Sequence, residues 1–183
     1  MARTYHHGDL RSALIAAGKA ALESGEPGQI SLRQLAREAG VSPTAVYRHF
    51  PDKDALLSAL AAEGIEDMAR WQQDAASRAT PESAFAATGR AYVRWGLANP
   101  TMFRLVFGQC NEVARTVFGD NTAAHLLRTF ALDRSASEEE VQTFMLQAWS
   151  LVHGLTMLIL DGQLPNDDAV IDRVIDTTAL FRI

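Results

Sequence analysis

Tyr47, Arg48 and His49 stand side by side in the stretch Val41-Ser42-Pro43-Thr44-Ala45-Val46-Tyr47-Arg48-His49-Phe50, and Lys53 follows close behind. Phenol, imidazole and ammonium groups at this spacing offer hydrogen bonds and charge suited to phosphate oxygens. The small tip formed by Pro43, Thr44 and Ala45 allows close approach to a base-pair edge. The same residues make a poor catalytic set, because His49 has neither a nucleophile nor an orienting carboxylate beside it in sequence. The chain also lacks a Gly-rich phosphate loop, a His-Glu-x-x-His pair, a Cys pair and a Gly-x-Ser-x-Gly turn, so it reads as a non-enzyme without a cofactor. The neighbours His6 and His7 have no third ligand and do not define a metal site.

Such a segment must be held by its neighbours, because a helix of about seven residues has little stability of its own. Ser42 is placed as its N-cap and Pro43 at its first helical position. Upstream, Ser31-Leu32-Arg33-Gln34 has capping-box form, and Gly40 suits a helix end that needs φ > 0. The two helices, joined through Ala39-Gly40-Val41-Ser42, have helix-turn-helix spacing over about 31–50, with Val46 and Phe50 turned down onto Leu35 and Ala36. A first helix over about 9–24, capped by Asp9, supplies the stripe Leu10, Ala13, Leu14, Ala17, Ala21 and Leu22. A long fourth helix runs from Asp52 or Lys53 to about Ala79.

The same punctuation continues downstream. Helices are predicted over 81–98, from Pro100 through Phe107, to about Leu132 with an interruption near Gly119-Asp120-Asn121, from Ser137 to about Leu160, and over about 167–181. The last turns Val170, Val174, Ile175 and Thr178 inward. Acids at 138–140 sit where a helix dipole favours them. No segment alternates with period 2, so the expectation is an all-α fold of about nine helices.

Composition narrows the setting. Hydrophobic residues make up 48% and charged residues 21% of 183 residues, the balance of a soluble globular protein. A single cysteine rules out an intramolecular disulfide framework and fits a reducing cytoplasm. No leader and no apolar run of membrane-spanning length is read, so no membrane partner is expected. The net charge of -5 is uneven: residues 1–53 hold seven Lys+Arg against five acids, net +2, and the remainder ten against seventeen, net −7. A mildly basic head on an acidic body fits a polyanion at one end. That change of character divides the chain into a helix-turn-helix domain, 1–53, and a ligand-binding and dimerisation domain, 54–183.

The run "LRQLAREAGVSPTAVYRHFPDKDALLSAL" resembles the DNA-binding domain of the TetR family of transcriptional regulators, a likeness that spans about residues 9–60. The opening "YHHGDLR" resembles the entry to the first helix in one branch of that family. By this resemblance Arg33 reaches a base edge and Pro43, Thr44 and Ala45 line the major groove of operator DNA. Tyr47, His49 and Lys53 hold phosphates with Ser31 and Ser42 beside them, and Arg48 occupies a variable position. Arg3 is placed to enter the adjacent minor groove. Trp149-x-x-x-His153-Gly154 resembles the Trp-x-x-x-His-Gly signature of one class of C-terminal domain in the same family.

One reader helix contacts few base pairs, so pairing about a two-fold axis is expected. The last two long helices are the expected means, through Val141, Met145, Ala148, Val152, Leu155 and Ile159 on one and Val174 on the other. The resemblance further implies a small-molecule cavity. Its candidate lining is Trp95, Phe103, Phe107, Cys110, Phe144, Trp149 and His153, which suits a largely apolar effector. The implied function is a homodimeric repressor released from its operator by that effector. An effector-free DNA-binding or scaffolding protein is the alternative.

Overall fold

The computed structural model describes residues 7–25, 30–108, 120–135 and 137–176. Its helices are α1 (His7–Ser24), α2 (Leu32–Glu38), α3 (Pro43–Tyr47), α4 (Lys53–Ser77), α5 (Ala84–Ala98), α6 (Pro100–Phe107), α7 (Thr122–Leu132), α8 (Glu138–Leu160) and α9 (Asp168–Ile175). No strand occurs among the described residues, so the architecture is all-α. The chain forms two compact units. One draws on Met1–Gly64 and Thr101–Arg115, the other on Ile65–Pro100 and Thr116–Ile183. The division therefore falls inside α4 rather than at residue 53, and most of α6 joins the N-terminal unit. Arg3, Cys110 and Thr178 lie outside the described residues.

The N-terminal unit is built around short helices that hold one another. α1 contributes Leu10, Leu14, Ile15 and Leu22 to its core. It begins at His7, so Asp9 lies within the helix and is not its cap. Gly18 lets α1 approach α4, since a Cβ there would stand 3.0 Å from a methyl of Leu60. Further along α4, Gly64 lies beneath α6, where a Cβ would come within 2.9 Å of Met102 Sδ and Val106 Cγ2.

In the C-terminal unit, α8 is held at its start by a capping box. Ser137 Oγ accepts from the Glu140 backbone N–H and Glu140 Oε2 accepts from that of Ser137. Arg128 on α7 bonds both carboxylate oxygens of Glu138, at 2.9 and 2.7 Å. Phe85, Ala131, Val141, Phe144, Met145 and Ala148 form a core cluster, with Phe85 and Phe144 ring centroids 5.1 Å apart. Two arginines four residues apart on α5 meet two aspartates four apart on α9: Arg90–Asp172 at 2.5 Å and Arg94–Asp168 at 2.8 Å. With Ile171 and Ile175 buried beneath, these pairs fix the face α9 presents.

Candidate nucleic-acid interface

α2 ends in a glycine-dependent turn that aims the next helix. Gly40 adopts φ 66°, its N–H donates to Arg37 O, and the Val41 N–H donates to Ala36 O at 2.9 Å. A side chain at position 40 would be strained in this left-handed conformation. The chain then extends through Ser42, whose Oγ accepts from the Ala45 N–H at 3.2 Å, with Pro43 opening α3. Ser31 occupies the N-cap of α2 but its side chain makes no capping bond. Gln34, which would complete a capping box, instead donates to Glu38 Oε1 at 2.9 Å. The expected box is therefore absent at α2.

α3 has only five helical residues and depends on the packing below it. Val46 is fully buried and Phe50 nearly so, against a core that contains Leu35 and Ala36. Burial of side chains of this size contributes about 1.5–3 kcal/mol each. The opposite face is open: Ser31, Arg33, Ser42, Pro43, Thr44, Tyr47 and Arg48 are exposed, while Ala45, His49 and Lys53 are half-buried. Asp52 Oδ1 caps α4 through the Ala55 N–H at 2.7 Å, which leaves Lys53 at the helix start beside α3.

The arginines of the reader segment differ from most of those in the C-terminal unit. In the C-terminal unit Arg70, Arg78, Arg90, Arg94 and Arg128 are each within bridging distance of a carboxylate. Arg33 on α2 and Arg48 at the C-cap of α3 have no carboxylate partner among the described residues, although both are exposed. The Tyr47 hydroxyl, on a side chain 44% exposed, likewise bonds to nothing among them. Charged and hydroxyl donors with no intramolecular acceptor remain available for phosphate and base-edge acceptors.

The expected lining residues divide between the units. Phe103 is buried beside Phe107, ring centroids 4.8 Å apart, in the N-terminal unit. Trp95, Phe144, Trp149 and His153 belong to the C-terminal unit. Trp95 is fully buried and donates its indole N–H to Asp67 Oδ2 at 2.8 Å. The sequence reading missed Tyr92, the centre of a small polar cluster. Trp149 Nε1 donates to the Tyr92 hydroxyl oxygen at 3.3 Å, and that oxygen lies 3.0 Å from His153 Nδ1. Indole can only donate, so the phenol oxygen accepts from Trp149, and the same hydroxyl is shared with His153 Nδ1. Burial favours the neutral forms of both groups, pushing the Tyr92 phenol up and the His153 imidazole down. Tyr92 lies three residues before Trp95 on α5, a spacing that could have flagged it as a polar tip on an apolar stripe.

The expected pairing surface needs correction. Val141, Met145, Ala148, Leu155 and Ile159 are buried within their own chain, and Val152 and Val174 are half-buried. The five buried side chains pack the chain's own core, which accounts for their apolar character. The side of α8 turned away from it carries Gln147, Ser150, Gly154 and Leu158, with Leu146 and Leu151 flanking. Leu146 and Leu158 are 49% and 46% exposed, and a Cβ at Gly154 would meet nothing within 4 Å. By length and composition α8 could also cross a membrane, a test that the core helix of a globular domain passes as well.

A tri-helical reader with a tight turn, an open donor-bearing face and an attached helical body defines a helix-turn-helix DNA-binding regulator. The family comparisons agree. Residues 14–60 match the model of the bacterial regulatory proteins of the tetR family, and residues 85–178, just over half of the chain, match the tetracyclin repressor-like C-terminal domain. The chain belongs to the TetR family of transcriptional regulators. It is 22% identical over 143 residues to the uncharacterized HTH-type transcriptional regulator YobS of Bacillus subtilis, covering 78% of this chain and 75% of that one. It is 32% identical over 91 residues to the HTH-type transcriptional regulator Rv1816 of Mycobacterium tuberculosis, covering 48% of this chain and 38% of that one. Among solved structures, a protein of unknown function from Rhodococcus sp. RHA1 superposes with TM-score 0.76 at 32% identity, over 95% and 93% of the two chains. A tetR-family regulator from Streptomyces coelicolor shares the fold with TM-score 0.68 at 18% identity, over 90% and 76%.

Proposed function

We propose that the protein is a homodimeric repressor that binds a two-fold symmetric operator and is released by a small, largely apolar effector. The observation that carries the DNA-binding part is the open face of α2 and α3, where Arg33, Tyr47 and Arg48 keep their donors unspent. In this reading Arg33 reads a base edge and Pro43, Thr44 and Ala45 line the groove. Tyr47, His49 and Lys53 grip phosphates, with Ser31, Ser42 and Arg48 at the margin. Two copies of α3 would lie in successive major grooves about 34–36 Å apart.

Pairing is assigned to the outward side of α8 around Gly154, where exposed leucines flank a residue with no side chain. An effector that binds better to a splayed dimer weakens DNA binding by its differential affinity for the two states. α4 is the natural carrier of such a change, because it starts beside α3 and continues unbroken past the division between the units. Fluorescence anisotropy of a labelled operator with purified protein tests the reading. The expected result is saturable binding that exceeds binding to scrambled duplex by about 10³-fold or more. Equal affinity for both would overturn it.

One observation favours a second reading. Trp95 and Phe103 are fully buried and Phe144 is 1% exposed, so these three serve as solid core. A regulator without an effector would show no ligand-induced mass shift in native mass spectrometry after purification or incubation with apolar compounds. The effector reading predicts such a shift, together with loss of operator binding.

A further inference from the structure

We infer that Arg11, on α1, is a further DNA-backbone contact, held in place by the ring of Phe50. The inference rests on the DNA-binding reading above and extends it to a helix that the helix-turn-helix pattern does not include. Arg11 is exposed on the second turn of α1, and its guanidinium carbon lies 5.5 Å from the centroid of the Phe50 ring. Phe50 directly follows His49, stands three residues after Tyr47 and precedes Lys53 by three. The stacked guanidinium therefore lies beside the segment already assigned to phosphates.

The chemistry suits that place. A guanidinium lying over an aromatic ring is attracted through its face, while its N–H donors point outward in its own plane. This contact with the ring restrains the side chain without consuming the donors that would form paired bonds to a phosphate. The contrast with Lys19 on the same helix is informative. Lys19 Nζ is 3.3 Å from Glu63 Oε2, a cation already neutralised within the protein. Arg11 has no carboxylate partner among the described residues. A purely structural cap over Phe50 would need only the aliphatic stem and apolar bulk of the side chain.

The test uses the full chain and a fluorescein-labelled 30-base-pair duplex of random sequence, read by anisotropy between 50 and 250 mM NaCl. Each neutralised phosphate adds about 0.9 to the slope of log K against log salt concentration. Arg11→Met, which keeps a long side chain over Phe50, is expected to lower that slope by about 0.9 per protomer. Arg11→Lys is expected to keep the slope with weaker binding. Arg78→Ala, which removes a cation from the C-terminal unit, is expected to change neither. Thermal unfolding of Arg11→Met within about 2 °C of wild type shows that the change is not a folding defect. A slope unchanged in Arg11→Met, with the wild type still binding steeply, overturns the Arg11 contact alone. A wild-type chain whose binding is absent or independent of salt overturns the DNA-binding reading itself.

Discussion

Gly154 sits six residues from the end of α8 with nothing within 4 Å of where a Cβ would stand. That single fact separates two accounts of the helix. For a protomer alone, Gly154→Ala replaces the residue most costly to order in a helix interior, at no steric expense. The gain is about 0.8–1.0 kcal/mol, or a rise of about 2–4 °C in Tm for a chain of this size. For a dimer crossing at Gly154, the side chains at the contact set the helix separation, so helices drawn together over a glycine leave a leucine at 154 pressed against the partner backbone. Gly154→Leu would then overpack the contact by about 1–3 kcal/mol per copy, and symmetry applies it twice. The sum, about 2–6 kcal/mol, corresponds to roughly 30-fold or greater weakening of the dimer. Sedimentation equilibrium of wild type, Gly154→Ala and Gly154→Leu over a wide range of protein concentration measures it. Met145→Ala is the contrast. Met145 is 3% exposed inside the protomer, so its truncation lowers stability by about 2–5 kcal/mol without opening a pairing surface. A Gly154→Leu protein that dimerises as tightly as wild type and melts higher would refute the assignment of this face.

Tyr47→Ala weakens binding to all duplexes alike, whereas Arg33→Ala also flattens base preference by about 1–3 kcal/mol at one position of each half-site. Selection from a random duplex library with each variant distinguishes the two. Ser137→Ala removes the capping box of α8 and lowers stability by about 1 kcal/mol, read as a drop of about 2–4 °C in Tm. Tyr92→Phe leaves the Trp149 indole and the His153 imidazole without their shared partner and costs about 1–3 kcal/mol in chemical denaturation. The pH profile supplies a further check. Burial lowers His153 below its ordinary value of 6.5, so the unfolded chain takes up a proton that the folded chain refuses. Stability from this group is whole above about pH 6.5 and is lost as the pH falls toward the folded value. His153→Asn should remove that slope, and a wild-type profile flat from pH 7 to 5.5 would contradict it.

Local chemistry carried most of what the sequence revealed. Ser42-Pro43 capped α3 and Gly40 turned the chain as anticipated, because caps and left-handed turns depend on a few adjacent residues. Ser137 and Glu140 form the box that their spacing announced, yet Ser31 and Gln34, with a similar pattern, do not. Gln34 instead donates its amide to Glu38 Oε1, a residue seven positions after the cap that no capping pattern includes. α3 ends at Tyr47 because its last turn tightens, with the His49 N–H donating to Val46 O.

Longer-range features were less visible. Period 3.6 marks an apolar stripe on α8 but does not say whether the stripe meets its own core or a second copy. Val141, Met145, Ala148, Leu155 and Ile159 proved internal, and the outward side carries two scattered exposed leucines beside a glycine, a weaker hydrophobic signal. Tyr92 was missed because its two partners, Trp149 and His153, lie 57 and 61 residues away. The stacking of Arg11 on Phe50 likewise joins residues too far apart for any periodic pattern to connect.

The central claim is that the open face of α2 and α3 reads duplex DNA as a symmetric pair. Selection of bound sequences from a random 40-base-pair duplex library by the purified wild-type chain tests it most directly. The account predicts enrichment of an inverted repeat whose half-site centres are separated by one helical turn of about 10–10.5 base pairs or a multiple of it. Bound and input pools of identical composition, or a single unrepeated motif, would contradict it.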